Sequence, residues 1–260
     1  MMSLASIVNL KKHPISDKGF MQSCQDKLDR DGVLVLEGFL LPKAVALVKN
    51  EGENHEDQAY FCEQKHTVYL NPQDPEFDDT HPRNRLVTSS KGCITDDQIP
   101  ENSPLQTLYH DADFQKFLCR VLKEKALYQY ADPLSSINLH YARTGQELGW
   151  HFDNSSFATT LMIQEPEAGG AFEYVGDLRD ADRGDMNFEG VEKVLDGETA
   201  VSQLSMGVGA LVLFRGRNAI HRVAPVEGER TRMLVVLAYN SEPGIALSEA
   251  ARMTFYGRLG

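Results

Sequence analysis

The sequence predicts a mostly β fold with added α, helices coming first and a β barrel, jelly roll or sandwich second. Three observations carry this. After about residue 131, short β-rich runs are separated by Gly, Pro, Asp and Asn turns. Before it, apolar residues recur at helical spacing. The 260 residues, 42% hydrophobic, show no internal repeat, low-complexity tract or long linker, so one domain over 1–260 is expected.

In chain order, SDKGFMQSCQDKLDRDG reads as a helix, with Ser16 as its N-cap and Gly32 as its stop. VLVLEGFL reads as a short strand leading through Leu-Pro into the helix PKAVALVKNEGEN. Residues 71–102 are rich in Pro, Asp, Asn, Ser and Thr and read as a long polar loop. SPLQTLYHDADFQKFLCRVLKEK then reads as one amphipathic helix, closing a helical support over residues 1–130. SINLHYART, FATTLMIQ, GAFEYVG, GALVLFRG, HRVAPV and TRMLVVLAYN are the strands of a core over 131–245, and 246–260 is a C-terminal tail.

Composition removes several function classes. A net charge of -12 argues against a nucleic-acid partner, because phosphate binding needs a basic surface. No run of eighteen apolar residues is present and the first twenty residues lack a signal-peptide pattern, so no membrane association is expected. Cys24, Cys62, Cys93 and Cys119 are scattered with no C-x-x-C pair, which fits reduced thiols in a cytoplasmic protein. A small-molecule substrate is the remaining expectation, and a homodimer is compatible with it.

The chemistry concentrates in GWHFDNSSF. On a strand or strand end, alternation puts His151 and Asp153 on one face and Phe152 on the other. RNAIHRVAP offers His221 as a third ligand from another strand. Two imidazoles and one carboxylate on one face of an ion leave three positions open, the arrangement associated with oxygen-activating iron(II). In GERTRMLVVLAYN, period two puts Arg232, Leu234, Val236 and Ala238 on one face. An inward Arg232 would present a fixed fork of donors to a carboxylate, with Arg230 as the alternative of the same parity. Each residue alone is more often structural; their combination carries the reading.

From about Asn138 to Gly244 the sequence resembles the 2-oxoglutarate and iron(II)-dependent oxygenase superfamily, with His-x-Asp at 151–153, the distal His221 and Arg232 about ten residues on. NLHYARTGQELGWHFDN is similar to the prolyl-hydroxylase type, in which a Tyr at the place of Tyr141 touches the cosubstrate. HFDNSSFATTLMIQEPEAGGAFEYV and HRVAPVEGERTRMLVVLAYNSEPG resemble more closely the bacterial enzymes that halogenate or hydroxylate free amino acids such as lysine. The resemblance implies a double-stranded β-helix (jelly-roll, cupin-like) core with N-terminal helices packed on it, and Fe(II), 2-oxoglutarate and O2 as cofactor and cosubstrates. It implies hydroxylation of an unactivated C–H bond with release of succinate and CO2. In the halogenases of this group Gly replaces the carboxylate ligand so that chloride can bind iron; this chain keeps Asp153.

For an amino-acid substrate, Arg83 and Arg85 are candidates to meet the carboxylate, and Asn138, His140 and Asn154 to line the pocket. The readings to be weighed against a hydroxylase are a metal-binding β-barrel without oxygenase activity (isomerase, hydrolase or sensor), which has no need of Arg232, and an iron halogenase, which Asp153 disfavours.

Overall fold

The computed structural model describes residues 2–260. The chain opens with α1 (Leu4–Ile7) and α2 (Lys18–Asp31). Asp17, not the expected Ser16, caps α2 by accepting from the Phe20 N–H, and Gly32 ends it in the left-handed region at φ 69°. β1 (Val33–Leu36) leads to α3 (Pro42–His55), whose proline sits in the first turn, where a missing N–H costs no hydrogen bond. β2 (Tyr60–Thr67) and β3 (Leu86–Ile94) pair antiparallel along their length. α4 (Pro104–Tyr109) and α5 (Ala112–Leu122) follow.

The second half supplies β4 (Ile137–Ala142), β5 (Leu148–His151), β6 (Ala158–Gln164), β7 (Ala168–Gly169) and β8 (Phe172–Val175). After α6 (Phe188–Leu195) come β9 (Ser202–Leu204), β10 (Leu211–Phe214), β11 (Ile220–Val223), β12 (Val226–Glu227) and β13 (Arg232–Leu237). The last element is α7 (Glu249–Tyr256).

Apart from the small β7–β12 pair, the strands form one antiparallel eleven-stranded sheet in the order β1-β10-β6-β13-β4-β3-β5-β11-β8-β9, with β2 on β3. The step from β3 to β5 is a single register pair, Ser89 with Leu148. On one side of it lies a broad helix-backed layer and on the other a short one. The two enclose a common cavity, giving a jelly roll.

Alternation assigns the two faces of the broad layer. On β13, Met233, Val235 and Leu237 are buried against the helices with Leu139, Leu161 and Phe117, while Arg232, Leu234 and Val236 line the cavity. α3 packs closely enough on β4 that a Cβ at Gly52 would come 2.6 Å from Leu139 Cδ2. No helix among the described residues is long and apolar enough to cross a membrane.

Three further sequence expectations are corrected. The polar stretch 71–102 contains β3, whose cross-strand partners on β2 and β4 are remote in sequence. The helix expected from Ser103 breaks at His110 and restarts because the Asp111 side chain accepts from the Asp113 and Phe114 N–H groups. The tail holds α7, tied down by Arg258 to Asp97 (2.7 Å) and by the Leu247 N–H to Asp132 (2.9 Å).

Candidate metal centre and its cavity

His151 ends β5 and stands in register with His221 of β11, the two rings 4.2 Å apart. Asp153 follows past the strand end, its backbone N–H donating to Gly216 O (3.0 Å). Phe152 points away and is fully buried against Tyr69, as alternation requires. Asp153 Oδ1 lies 3.5 Å from His221 Nε2 and 3.9 Å from His151 Nε2. The three ligand atoms all fall within 4.8 Å of one another.

Each imidazole is oriented through its other nitrogen. His151 Nδ1 lies 2.8 Å from Gly149 O, and His221 Nδ1 lies 3.0 Å from Ala219 O. A backbone carbonyl can only accept, so Nδ1 carries the proton in both rings and Nε2 offers its lone pair to the centre. Burial, reinforced by His221, pushes the His151 pKa down to about 3, which keeps that ring neutral. For Asp153, burial pushes upward but is outweighed by attraction from His221 and His151, so it stays below the ordinary carboxylate value. Its Oδ2 is buried with no hydrogen-bond partner. Two imidazoles with Nε2 turned to the centre, one carboxylate and an orphaned oxygen fit a divalent metal ion.

Gly216 makes room for this carboxylate. A Cβ there would overlap Asp153 Oδ2 and lie 2.6 Å from its Cγ and 2.9 Å from His221 Cε1.

The ligands open onto a cavity of about 350 Å³ between the two layers, lined also by Asn138, His140, Thr160, Phe214 and Arg232. Arg232 is 5% exposed, forms no ion pair among the described residues, and leaves Nε without a partner. Burial lowers its pKa to about 10, so it remains a cation at neutral pH. An unpaired buried guanidinium is costly, and the cavity beside it has room for an anion.

Other candidates fall differently. Arg230 shares the parity of Arg232 but lies in the turn, donating to Pro166 O (3.2 Å) outside the cavity. Tyr141 does not meet its expectation: it pairs with Met233 on the helix-facing side and donates its hydroxyl to Gly52 O (2.7 Å). Arg83 donates to Pro72 O (3.1 Å), Arg85 pairs with Asp196 (2.6 Å), and neither lines the cavity. Asn154 is exposed and outside the lining. Asn138 and His140 both face inward from β4, and Asn138 Oδ1 accepts from the Tyr256 hydroxyl of α7 (2.9 Å). Sequence reasoning missed Lys91, His66, Ser89 and Phe255, which line a recess beside the metal ligands. The period-two spacing of Ser89 with Lys91 was the available signal.

A model of the family described as halogenase D matches residues 16–254. No curated protein matches the sequence. Among solved structures, the α-ketoglutarate-dependent epimerase SnoN from nogalamycin biosynthesis is similar with a TM-score of 0.59 and 12% identity, over 86% of this chain and 84% of that one. A 2OG-Fe(II) oxygenase family oxidoreductase from Burkholderia pseudomallei gives 0.52 and 12%, over 88% and 94%. A prolyl-4-hydroxylase from Pseudomonas putida gives 0.51 and 14%, over 83% and 96%. At these identities the likeness is one of fold.

Proposed function

Because this chain belongs to the halogenase D family, we propose that it is an iron(II)- and 2-oxoglutarate-dependent oxygenase that hydroxylates an unactivated C–H bond of a small molecule, a free amino acid such as lysine being the first class to test. The observation that carries the reading is the pairing of one metal-ligand triad with one orphaned guanidinium in a single cavity. A metal-binding barrel of another kind gains nothing from burying Arg232 there.

His151, Asp153 and His221 would hold the iron, and Arg232 the far carboxylate of 2-oxoglutarate. Bound together, the metal and cosubstrate supply the oxidising power, with succinate and CO2 as by-products. The chain's own contribution is orientation and dryness. The Gly149 and Ala219 carbonyls fix both imidazole tautomers, and the Asp153 N–H to Gly216 holds the carboxylate's approach. Phe172 and Phe214 pack around the His221 ring at centroid distances of 5.5 and 4.9 Å, limiting water on that side.

Within a family named for halogenation, Asp153 favours hydroxylation. In the halogenases this sequence resembles, Gly leaves a ligand position to chloride; here a carboxylate fills it. The test is succinate formation with Fe(II), 2-oxoglutarate and a panel of free amino acids in chloride buffer. Hydroxylated product is expected. Chlorinated product from the wild type would overturn this choice, and absence of 2-oxoglutarate turnover with every panel member would count against the amino-acid class.

A further inference from the structure

One cation in the cavity is left over once metal and cosubstrate are accounted for. Lys91 lies on β3, where Gly92 faces Tyr141 and Cys93 faces His140. Its side chain therefore shares the inward face with His140. Nζ stands 3.1 Å from Nε2 and 3.3 Å from Nδ1 of that ring at the same time. A donor aimed along one in-plane lone pair would be close to one nitrogen only, so near-equal distances put the ammonium across the ring face. The Phe255 ring of α7 lies 5.7 Å away. Its neighbours are thus two π faces rather than a carboxylate. Among the described residues Lys91 forms no ion pair, and Asp153 is the only acidic residue lining the cavity or the adjoining recess.

Formal charge sharpens the point. With a divalent ion, Asp153, Arg232 and a 2-oxoglutarate dianion in place, the cavity is neutral before Lys91 is counted. His140 adds nothing, since burial and then Lys91 and Arg232 push its pKa well down. Lys91 is half-buried and burial lowers its pKa from the ordinary lysine value, so its ammonium form is disfavoured unless an anion pairs with it. Lys91 also lines a recess of about 150 Å³ with His66, Ser89, His151, Asp153 and Phe255, which Arg232 does not reach. One unpaired charge beside the metal ligands suits a monoanion.

We propose that the substrate carries a carboxylate that pairs with Lys91 in this recess, and that this contact positions the rest of the molecule over the metal. The inference rests on the oxygenase reading and narrows its substrate: the carboxylate is required, whereas a second ammonium, as in lysine, finds no acid in the lining except Asp153, a metal ligand.

The test uses butyrate and its uncharged isostere butyramide, titrated calorimetrically into the full chain loaded anaerobically with Fe(II) and 2-oxoglutarate. The wild type is expected to bind butyrate at least tenfold more tightly than butyramide. Lys91→Met and Lys91→Gln should both erase that preference, Lys91→Arg should keep it, and the Kd for 2-oxoglutarate should change less than threefold in all of them. Thermal unfolding checks that the variants are folded; having two neutral replacements guards against one failing. Equal binding of the two probes, no butyrate binding, or a preference surviving in Lys91→Met would overturn the proposal. So would a tenfold loss of 2-oxoglutarate affinity in Lys91→Met, which would place the lysine with Arg232 on the cosubstrate. If the wild type fails to bind 2-oxoglutarate in an iron-dependent way, the oxygenase reading fails instead, and butyrate preference in the metal-free chain still reports on Lys91.

Discussion

Replacing Gly216 with Ala puts one methyl group where the Asp153 carboxylate now sits. The added Cβ would stand 2.6 Å from Asp153 Cγ and 2.9 Å from His221 Cε1, against ordinary contacts of about 3.5–4.0 Å between carbons. Relief requires one side to move by about 1 Å. The Gly216 carbonyl is held by the Asp153 N–H and His221 by the Ala219 carbonyl, so the carboxylate gives way first. Losing the placement of one ligand in three should weaken metal binding about 10–100-fold, by analogy with disturbed outer-shell partners, or about 1.4–2.8 kcal/mol. Anaerobic Fe(II) or Mn(II) titration followed by calorimetry measures it. A double-mutant cycle isolates the cause: in an Asp153→Gly background the same Ala should cost less than in the wild type by about 1 kcal/mol or more, because the closest collision is gone and only the contact with His221 Cε1 remains. An unchanged metal Kd in Gly216→Ala, or an equal loss in both backgrounds, would refute this account of the glycine.

Two substitutions separate the cavity from its surroundings. Tyr141→Phe removes the hydroxyl donated to Gly52 O and should destabilise the fold by about 1–3 kcal/mol in urea, while leaving the KM for 2-oxoglutarate within twofold; a large KM change would return Tyr141 to the site. Arg230→Ala should leave that KM unaltered, since its guanidinium lies outside the cavity. The metal-free protein should lose stability in acid. Burial first, then neighbouring cations, depress His140 and His151 below the usual 6.5, so below that pH the unfolded chain binds more protons than the folded one. Their contribution is intact above about pH 6.5 and falls by about 1.4 kcal/mol per pH unit for each histidine as pH drops toward its folded value. Urea midpoints in EDTA at pH 7 and 5.5 should show the drop, and His140→Gln should flatten it; equal slopes in the two proteins would contradict the assignment.

The strands around the site were legible because alternation survives where one face meets helices and the other a cavity. On β13 the same period two that buries Met233, Val235 and Leu237 turns Arg232, Leu234 and Val236 inward. Tyr141 shows what pattern resemblance loses. Asn138 and His140 share one parity and Tyr141 has the other, so all three cannot face one cavity, and register with Met233 decides the matter. β3 was hidden for another reason. Ser89 and Lys91 face a polar recess, so the strand carries few apolar residues, and its stabilising partners on β2 and β4 are not visible in local composition. The metal ligands needed only short-range spacing and one distant histidine, whereas Lys91 needed the fold to bring it there.

The central claim joins a metal ion and Arg232 as the two ends of one cosubstrate site. Anaerobic titration of 2-oxoglutarate into the wild type, with and without Fe(II), and into Fe(II)-loaded Arg232→Met tests this without knowledge of the substrate. Tight binding is expected only with metal and arginine together, with about 30-fold or more lost in Arg232→Met, the cost of breaking a buried hydrogen-bonded charge pair. Binding that is equally tight without iron, or equally tight in Arg232→Met, would contradict it.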